Sequence, residues 1–236
     1  MKTFVIIPTY NERANIVDLI SEIFAQPISD LHIIVVDDNS PDKTAEAVAQ
    51  IQTTYPGKLY LINRYHKLGL GSAYIAGFKK AMSLNADLLI EMDADFSHDP
   101  KDLPRLAEAC TEGFDLAIGS RKIAGGKVVG WSLKRKLMSN GAALFSRILL
   151  GLKTKDVTAG YRCFKRQVLE KINLDTIKSN GYAFQEELLY RTEKLGFTIK
   201  EITVIFKDRE VGQSKLGKKE IKEFFVIIFK LRFLKV

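Results

Sequence analysis

Leu88-Leu89-Ile90-Glu91-Met92-Asp93-Ala94-Asp95-Phe96-Ser97-His98 is the stretch on which the fold turns. Residues 88–92 form an apolar run of the length of a buried strand. Two carboxylates then stand one residue apart, where the strand leaves the core. Side chains at i and i+2 of a strand point the same way, so Asp93 and Asp95 are expected to converge on one point. Two anions held together repel unless a cation lies between them. Carboxylate oxygens suit a hard divalent cation, Mg2+ or Mn2+, and such a cation suits a diphosphate. The pair therefore predicts either a metal-bridged nucleotide diphosphate or, more plainly, a polar loop after a strand.

Outward from this stretch, short apolar runs alternate with helical patterns. Strands are expected at 3–7, 32–36, 59–62, 88–92 and 116–118, with helices at 14–24, 43–53, 71–83 and 103–112. Continuous Val/Ile/Leu strands separated by helices predict a parallel sheet covered on both faces, an α/β fold. Ligands of such sheets bind beyond the strand C-termini. Three polar motifs fall there: Pro8-Thr9-Tyr10-Asn11-Glu12, Asp37-Asp38-Asn39-Ser40 and Asp93-Ala94-Asp95. Pro8 is expected to stop the ladder, and Tyr10 offers a flat face on which a base can stack. A carboxylate in the second motif can accept from a nucleobase N–H or a ribose hydroxyl, or simply cap a helix.

The chain has 236 residues, 46% of them hydrophobic, enough for one large domain. Its two cysteines, Cys110 and Cys163, give neither a disulfide framework nor a zinc site, which favours a reducing compartment. The N-terminal apolar run reads as a strand and not as a signal peptide. The net charge is +8, with the basic residues gathered in 122–155 and 207–235. Such an excess suits phosphorylated substrates, anionic lipid or nucleic acid. No RNA- or DNA-binding motif is present, and the cleft is acidic at its metal end, so no nucleic-acid partner is expected.

The second half changes character. Residues 131–152 read as an amphipathic helix with Leu133, Leu137, Leu144, Ile148 and Leu152 on a broad apolar face, and Arg135 and Ser139 as neighbours on the polar side. A strand or turn is expected at 156–165, a helix near 184–195 and a strand at 198–206. The segment 221–236 is apolar, aromatic and interrupted by Lys230, Arg232 and Lys235. It falls short of the roughly 20 apolar residues of a spanning helix. Its composition suits a membrane-interface helix, with a core-closing helix as the alternative.

These residues carry a resemblance. The three strand-end motifs resemble those of inverting family 2 glycosyltransferases of GT-A fold. Gly119-Ser120-Arg121, Asp156-Val157-Thr158-Ala159-Gly160-Tyr161-Arg162, Gly181-Tyr182-Ala183-Phe184-Gln185 and Gly212-Gln213-Ser214-Lys215-Leu216-Gly217 resemble dolichyl-phosphate (polyprenyl-phosphate) mannosyltransferases within that family. The resemblance implies a GT-A catalytic domain over 1–220, a Rossmann-like, mostly parallel sheet flanked by helices, followed by the segment 221–236. It implies GDP-mannose as donor and a polyprenyl (dolichyl) monophosphate as acceptor. Carried over residue by residue, Pro8, Tyr10, Glu12, Val36 and Asp38 hold the guanosine end. Asp93, Ala94 and Asp95 lie at ribose, metal and diphosphate, with Asp95 the main metal ligand. Ser97 stands where some members have a metal-binding Gln, which makes it a third candidate ligand. Arg121, Arg135, Ser139 and Arg209 match the acceptor-phosphate group, and Lys215 the lysine at the donor diphosphate.

The chemistry agrees with that assignment. Glycosyl transfer has an oxocarbenium-like transition state. A phosphate monoester is already anionic near neutral pH and needs no general base. It needs cationic positioning, which arginine forks supply, and the departing diphosphate needs neutralising by metal and Lys215. Asp95, Arg121 and Lys215 are the residues expected to carry the reaction, and His66 and His98 read as structural. Lys215, between Gly212 and Gly217, is expected on a mobile lid. The lipid acceptor predicts peripheral attachment to the cytoplasmic face of a membrane, through 131–152 and 221–236, with a small membrane-anchoring subunit as a further expected partner. Two rivals remain: a related enzyme using UDP-glucose or another nucleotide sugar, and a non-catalytic membrane-surface binding protein. A glycan acceptor would call for a carboxylate base, with Asp156 or Glu186 as candidates.

Overall fold

The Val/Ile-rich strand β1 (Lys2–Thr9) lies inside a seven-stranded sheet because both its faces are apolar. The computed structural model describes residues 1–181, 183–208 and 218–233, without the side chains of 218–223. Helix α1 (Arg13–Phe24), β2 (Asp30–Asp37), α2 (Thr44–Ile51), β3 (Leu59–Asn63), α3 (Leu70–Ser83), β4 (Leu88–Glu91), α4 (Leu103–Thr111) and β5 (Leu116–Ser120) follow in the expected alternation. Next come β6 (Lys127–Val129), α5 (Leu133–Leu150), β7 (Arg162–Lys165) and α6 (Arg166–Ile172). Helix α7 (Ala183–Lys194), β8 (Ile199–Thr203), β9 (Ile205–Lys207) and α8 (Lys218–Arg232) complete the described chain. The sheet order is β3-β2-β1-β4-β7-β5-β8, and β6 pairs with β9 in a small second sheet.

Strand β7 is antiparallel to both its neighbours; the other pairings are parallel. Its first residue, Arg162, pairs with Glu91, the last residue of β4. The chain therefore enters β7 from the edge where the parallel strands end, and it can only run backwards. The run expected at 198–206 is broken at Val204 and shared between two sheets, while β6 and α6 were not anticipated.

Residues alternate between two cores. Phe4, Ile6, Ile34, Val36 and Leu89 pack on one face with Tyr74, Phe78, Phe164 and Phe184. Val5, Ile7, Ile33, Val35 and Ile90 pack on the other with Ile16, Leu19, Ile20 and Leu106. A Cβ on Gly77 of α3 would stand 2.4 Å from Ile6 Cγ2, so only glycine lets α3 lie this close to β1. Pro8 does not stop the β2 ladder: it sits opposite Val36. Ile6 accepts from Met92 N–H on the β4 side, so Pro8, two residues on, faces the same side. Its missing donor points where the β4 pairing has already ended.

Helix α5 starts after Ser132, whose Oγ accepts from Arg135 N–H, and stops at Gly151 in the left-handed region. Trp131 lies outside it. The helix is inverted relative to an ordinary surface helix: its buried positions are Ala143, Ser146 and Leu150, while Leu133, Leu137, Leu144 and Ile148 are 55–74% exposed. Helix α8 divides its apolar residues. Phe224, Ile228 and Leu231 enter the core, while Phe225, Val226, Phe229 and Phe233 are exposed. Phe225 packs edge-on against Phe145, so the two outward faces adjoin. Among the described residues no helix is long and apolar enough to cross a membrane.

Candidate active site

The three strand-end motifs do meet at one edge of the sheet. Asp37, fully buried, accepts from Thr9 Oγ1 (2.9 Å), Ser40 N–H (2.8 Å) and Ser40 Oγ (2.6 Å), and so ties the first motif to the second. Tyr10 and Glu12 follow β1, with Asn11 between them in the left-handed region. Asp38 is buried and ion-paired with Arg64, and it accepts from the N–H groups of Leu68 (3.2 Å) and Gly69 (3.1 Å). It organises the loop after β3. Val36 is wholly buried in the core, at the end of the strand that carries Asp37 and leads into Asp38.

The carboxylate pair differs from its expected geometry. Strand β4 ends at Glu91, so Asp93 and Asp95 lie on an irregular loop with Phe96 at φ 58°. The i, i+2 alternation therefore does not set their directions. Asp93 lines a cavity of about 630 Å³ and Asp95 a neighbouring one of about 320 Å³. Asp93 receives Tyr74 Oη at 3.5 Å, and its N–H donates to His98 Nδ1 at 3.1 Å. That bond leaves the His98 proton on Nε2, 3.9 Å from Asp93 Oδ2. His98 stacks on Tyr161 with ring centres 4.7 Å apart, and burial holds its pKa below the usual imidazole value despite Asp93 and Asp95. It is a neutral support for the carboxylate loop. Ser97 is 3% exposed, and its N–H donates to Asp95 Oδ1 at 3.1 Å, which orients that carboxylate. Ala94 is buried in the core between the two acids.

The residues match a metal's needs in donor type: Asp93 and Asp95 supply hard oxygens, and the Asp93 side chain is 40% exposed. Among the described residues no cluster of three or more His, Cys, Asp or Glu forms a closed metal cage. Two carboxylates completed by substrate phosphate oxygens is the arrangement that suits Mg2+ or Mn2+.

The large cavity also brings together Arg121, Arg135 and Ser139. Arg121 follows β5 and grips Asp156 through Nε and Nη2 (2.8 and 2.7 Å), with Thr158 Oγ1 at 2.8 Å. Burial works against the charges of both partners, but their mutual attraction outweighs it, raising the Arg121 pKa and lowering that of Asp156. Asp156 is thereby engaged in orienting Arg121. Arg135 pairs with Asp208 at 3.0 and 2.9 Å. Arg135 also stands 4.2 Å from the Trp131 ring, and Arg121 5.4 Å from the Phe206 ring. Trp131 and Phe206 meet edge-on, so one aromatic corner holds both guanidinium groups. Arg209 and Lys215, with the lid expected around them, lie outside the described residues.

Beneath the cavity, fully buried Arg162 donates to the carbonyls of Ala159 (2.8 Å), Gln185 (2.6 Å) and Val157 (3.0 Å). It stitches the 156–161 loop to the start of α7. Two acids lie beside it. Burial pushes Glu91 and Glu186 up to about 8, against the charge of Arg162. Sequence reasoning missed Trp131, Phe206 and Tyr74 as organisers of the site. An aromatic carries no signal of its own until the fold shows what it faces.

A mostly parallel sheet with one reversed strand, and acids at its carboxyl edge, define a glycosyltransferase of GT-A fold. The chain belongs to glycosyl transferase family 2, whose family model matches residues 4–173. It is 43% identical over 222 residues to a polyprenol monophosphomannose synthase of Mycolicibacterium smegmatis, covering 94% of this chain and 83% of that one. It is 44% identical over 218 residues to an undecaprenyl-phosphate mannosyltransferase of Micrococcus luteus, covering 92% and 88%. Its fold matches a glucosyl-3-phosphoglycerate synthase of Mycobacterium tuberculosis, solved with Mn2+ and UDP-glucose, with a TM-score of 0.70 at 19% identity over 100% of this chain and 81% of that one. A mannosyltransferase of Pyrobaculum calidifontis, solved with GDP-mannose and Mn2+, matches with a TM-score of 0.65 at 18% identity over 98% and 63%.

Proposed function

We propose that this enzyme transfers mannose from GDP-mannose to a polyprenyl (dolichyl) monophosphate with inversion. The observation that carries the proposal is the joint occupancy of one cavity by Asp93, Arg121, Arg135 and Ser139, with Trp131, Met138, Phe206, Phe224 and Phe225 as its apolar wall. Cationic and hydroxyl groups suit a phosphate head, and the wall suits the first isoprene units behind it. The two relatives above 40% identity bear names that specify the same lipid-phosphate mannosyl chemistry.

Arg121 and Arg135 would hold the acceptor phosphate in line with the anomeric carbon. Their carboxylate and aromatic partners fix both forks before substrate arrives, so little order is lost on binding. A phosphate oxygen is its own nucleophile, and Asp156, spent on Arg121, matches that lack of need. Tyr10, Glu12 and Asp38 would define the nucleoside end, and Lys215 the diphosphate. Asp93 and Asp95, oriented by His98 and Ser97, would hold Mg2+ or Mn2+, which neutralises charge on the leaving diphosphate. The adjoining exposed faces of α5 and α8 would rest on the cytoplasmic surface of a membrane, peripherally, presenting the cavity to a lipid-borne phosphate. A small anchoring subunit would use the same faces.

The test is transfer of radiolabel from GDP-mannose or UDP-glucose to a short polyprenyl phosphate, with Mn2+ present. Lipid-soluble label from GDP-mannose alone supports the proposal, and label from UDP-glucose alone refutes it. Asp95→Asn should cut turnover at saturating Mn2+ by at least about a hundredfold, and near-normal turnover would remove its metal role.

A further inference from the structure

Lys67 lies on the loop between β3 and α3, and its Nζ stands 3.9 Å from the centre of the Tyr10 ring. The side chain is exposed, but the loop that carries it is fastened at both ends. Asp38 binds the N–H groups of Leu68 and Gly69, immediately after Lys67. Arg64 pairs with Asp38 and also reaches Ser72 Oγ (2.7 Å) and Gly69 O (3.2 Å). Asn39 Nδ2 donates to Tyr65 O at 3.1 Å, and Asn180 Nδ2 donates to Leu68 O. Gly69 has φ 99°, and a Cβ there would meet Asn180 at 2.8 Å, so the turn that ends the loop requires glycine. Five side chains from three parts of the chain thus hold one lysine over one tyrosine.

We infer that Lys67 reads the nucleobase. The inference rests on Tyr10 being the platform on which the donor's base stacks. A cation already attracted to that ring face lies within reach of the edge of any base laid on it, and its flexible four-carbon stem lets it move from face to edge. Guanine presents two acceptors, O6 and N7, side by side on one edge, and a lysine ammonium can bind both. Uracil has a single carbonyl there. Lys67 therefore favours a guanine over a uracil nucleotide.

The experiment is calorimetric titration of GDP and UDP, with Mn2+, into the full chain and into Lys67→Met, Lys67→Arg and Tyr10→Ala. Lys67→Met should weaken GDP about tenfold and move UDP less than about twofold, with KM for GDP-mannose rising and kcat holding. Lys67→Arg, which keeps a donor fork, should restore most of the GDP affinity. Equal losses for GDP and UDP would assign Lys67 to the diphosphate and overturn the inference, as would no loss for either. Tyr10→Ala keeps the two levels distinct. Unchanged GDP binding in that variant refutes the base platform itself. Weakened GDP binding there, with Lys67→Met unaffected, refutes only the role of Lys67.

Discussion

Replacing Glu186 by glutamine should make the enzyme more stable, and by an amount that depends on pH. Glu186 is 1% exposed at the start of α7, and its Oε2 has no hydrogen-bond partner. Burial, opposed by its own N–H and by Arg162, moves its pKa from 4.5 to about 8. Below the ordinary carboxylate value, folded and unfolded chains both hold the proton. Above it, the unfolded chain releases the proton while the folded chain retains it until about 8. The native state then binds more protons, so stability falls as pH rises across that window. The distance from 4.5 to about 8 sets a ceiling of about 5 kcal/mol, at roughly 1.4 kcal/mol per tenfold step. Between pH 5 and pH 8 the loss is about 3 kcal/mol. Glutamine keeps an acceptor for the backbone N–H and never ionises. Urea unfolding of wild type and Glu186→Gln, measured at pH 5, 6, 7 and 8, should give curves that diverge steadily, with the variant ahead by about 3 kcal/mol more at pH 8 than at pH 5. Other titrating groups cancel in the difference. Parallel stabilities across that range would show that Glu186 is ionised and solvated at neutral pH, and the reasoning would fail.

Three further outcomes follow from the packing and the charges. Asp156→Ala strands Arg121 in a buried site and should cost about 3–5 kcal/mol in urea unfolding, while the double variant Asp156→Ala/Arg121→Met should recover part of that loss; a loss below 1 kcal/mol would place the pair in solvent. Gly77→Ala puts a methyl against Ile6 and should lower stability by about 1–3 kcal/mol, read as a lower melting temperature; an unchanged value would mean α3 can shift freely. Leu137→Ser, Ile148→Ser and Phe229→Ser together should abolish sedimentation with anionic liposomes and leave the melting temperature alone, because all three side chains face outward; undiminished sedimentation would refute the membrane face.

The parts of this enzyme that depend on periodicity were legible in its residues. Strands β1 to β5 and helices α1 to α4 follow the apolar pattern, because a sheet buried on both faces must be apolar along each strand. The strand-end motifs were legible for the same reason: where a buried strand emerges, polar residues must be there for solvent or ligand. Glu91 was the exception, a charged residue inside an apolar run whose burial only the neutral form makes tolerable. The second half was less legible. Strand β7 runs backwards because of where its predecessor ends, and that is a fact about space and not about pattern. The outward face of α5 is equally opaque, since an apolar stripe reads the same whether it meets core or lipid.

By itself, then, the sequence determined the α/β class, the layered sheet and the family to which the chain belongs, since these rest on local spacing that the backbone obeys. Tertiary structure decided how the pieces act on one another. It set Asp93 and Asp95 on an irregular loop beyond the strand end, where the alternation of a strand no longer fixes their directions. It joined Arg121 to Asp156 and Arg135 to Asp208, partners 35 and 73 residues apart, through one aromatic corner. Long-range charge pairing and burial set protonation and orientation, and neither exists until the chain has folded.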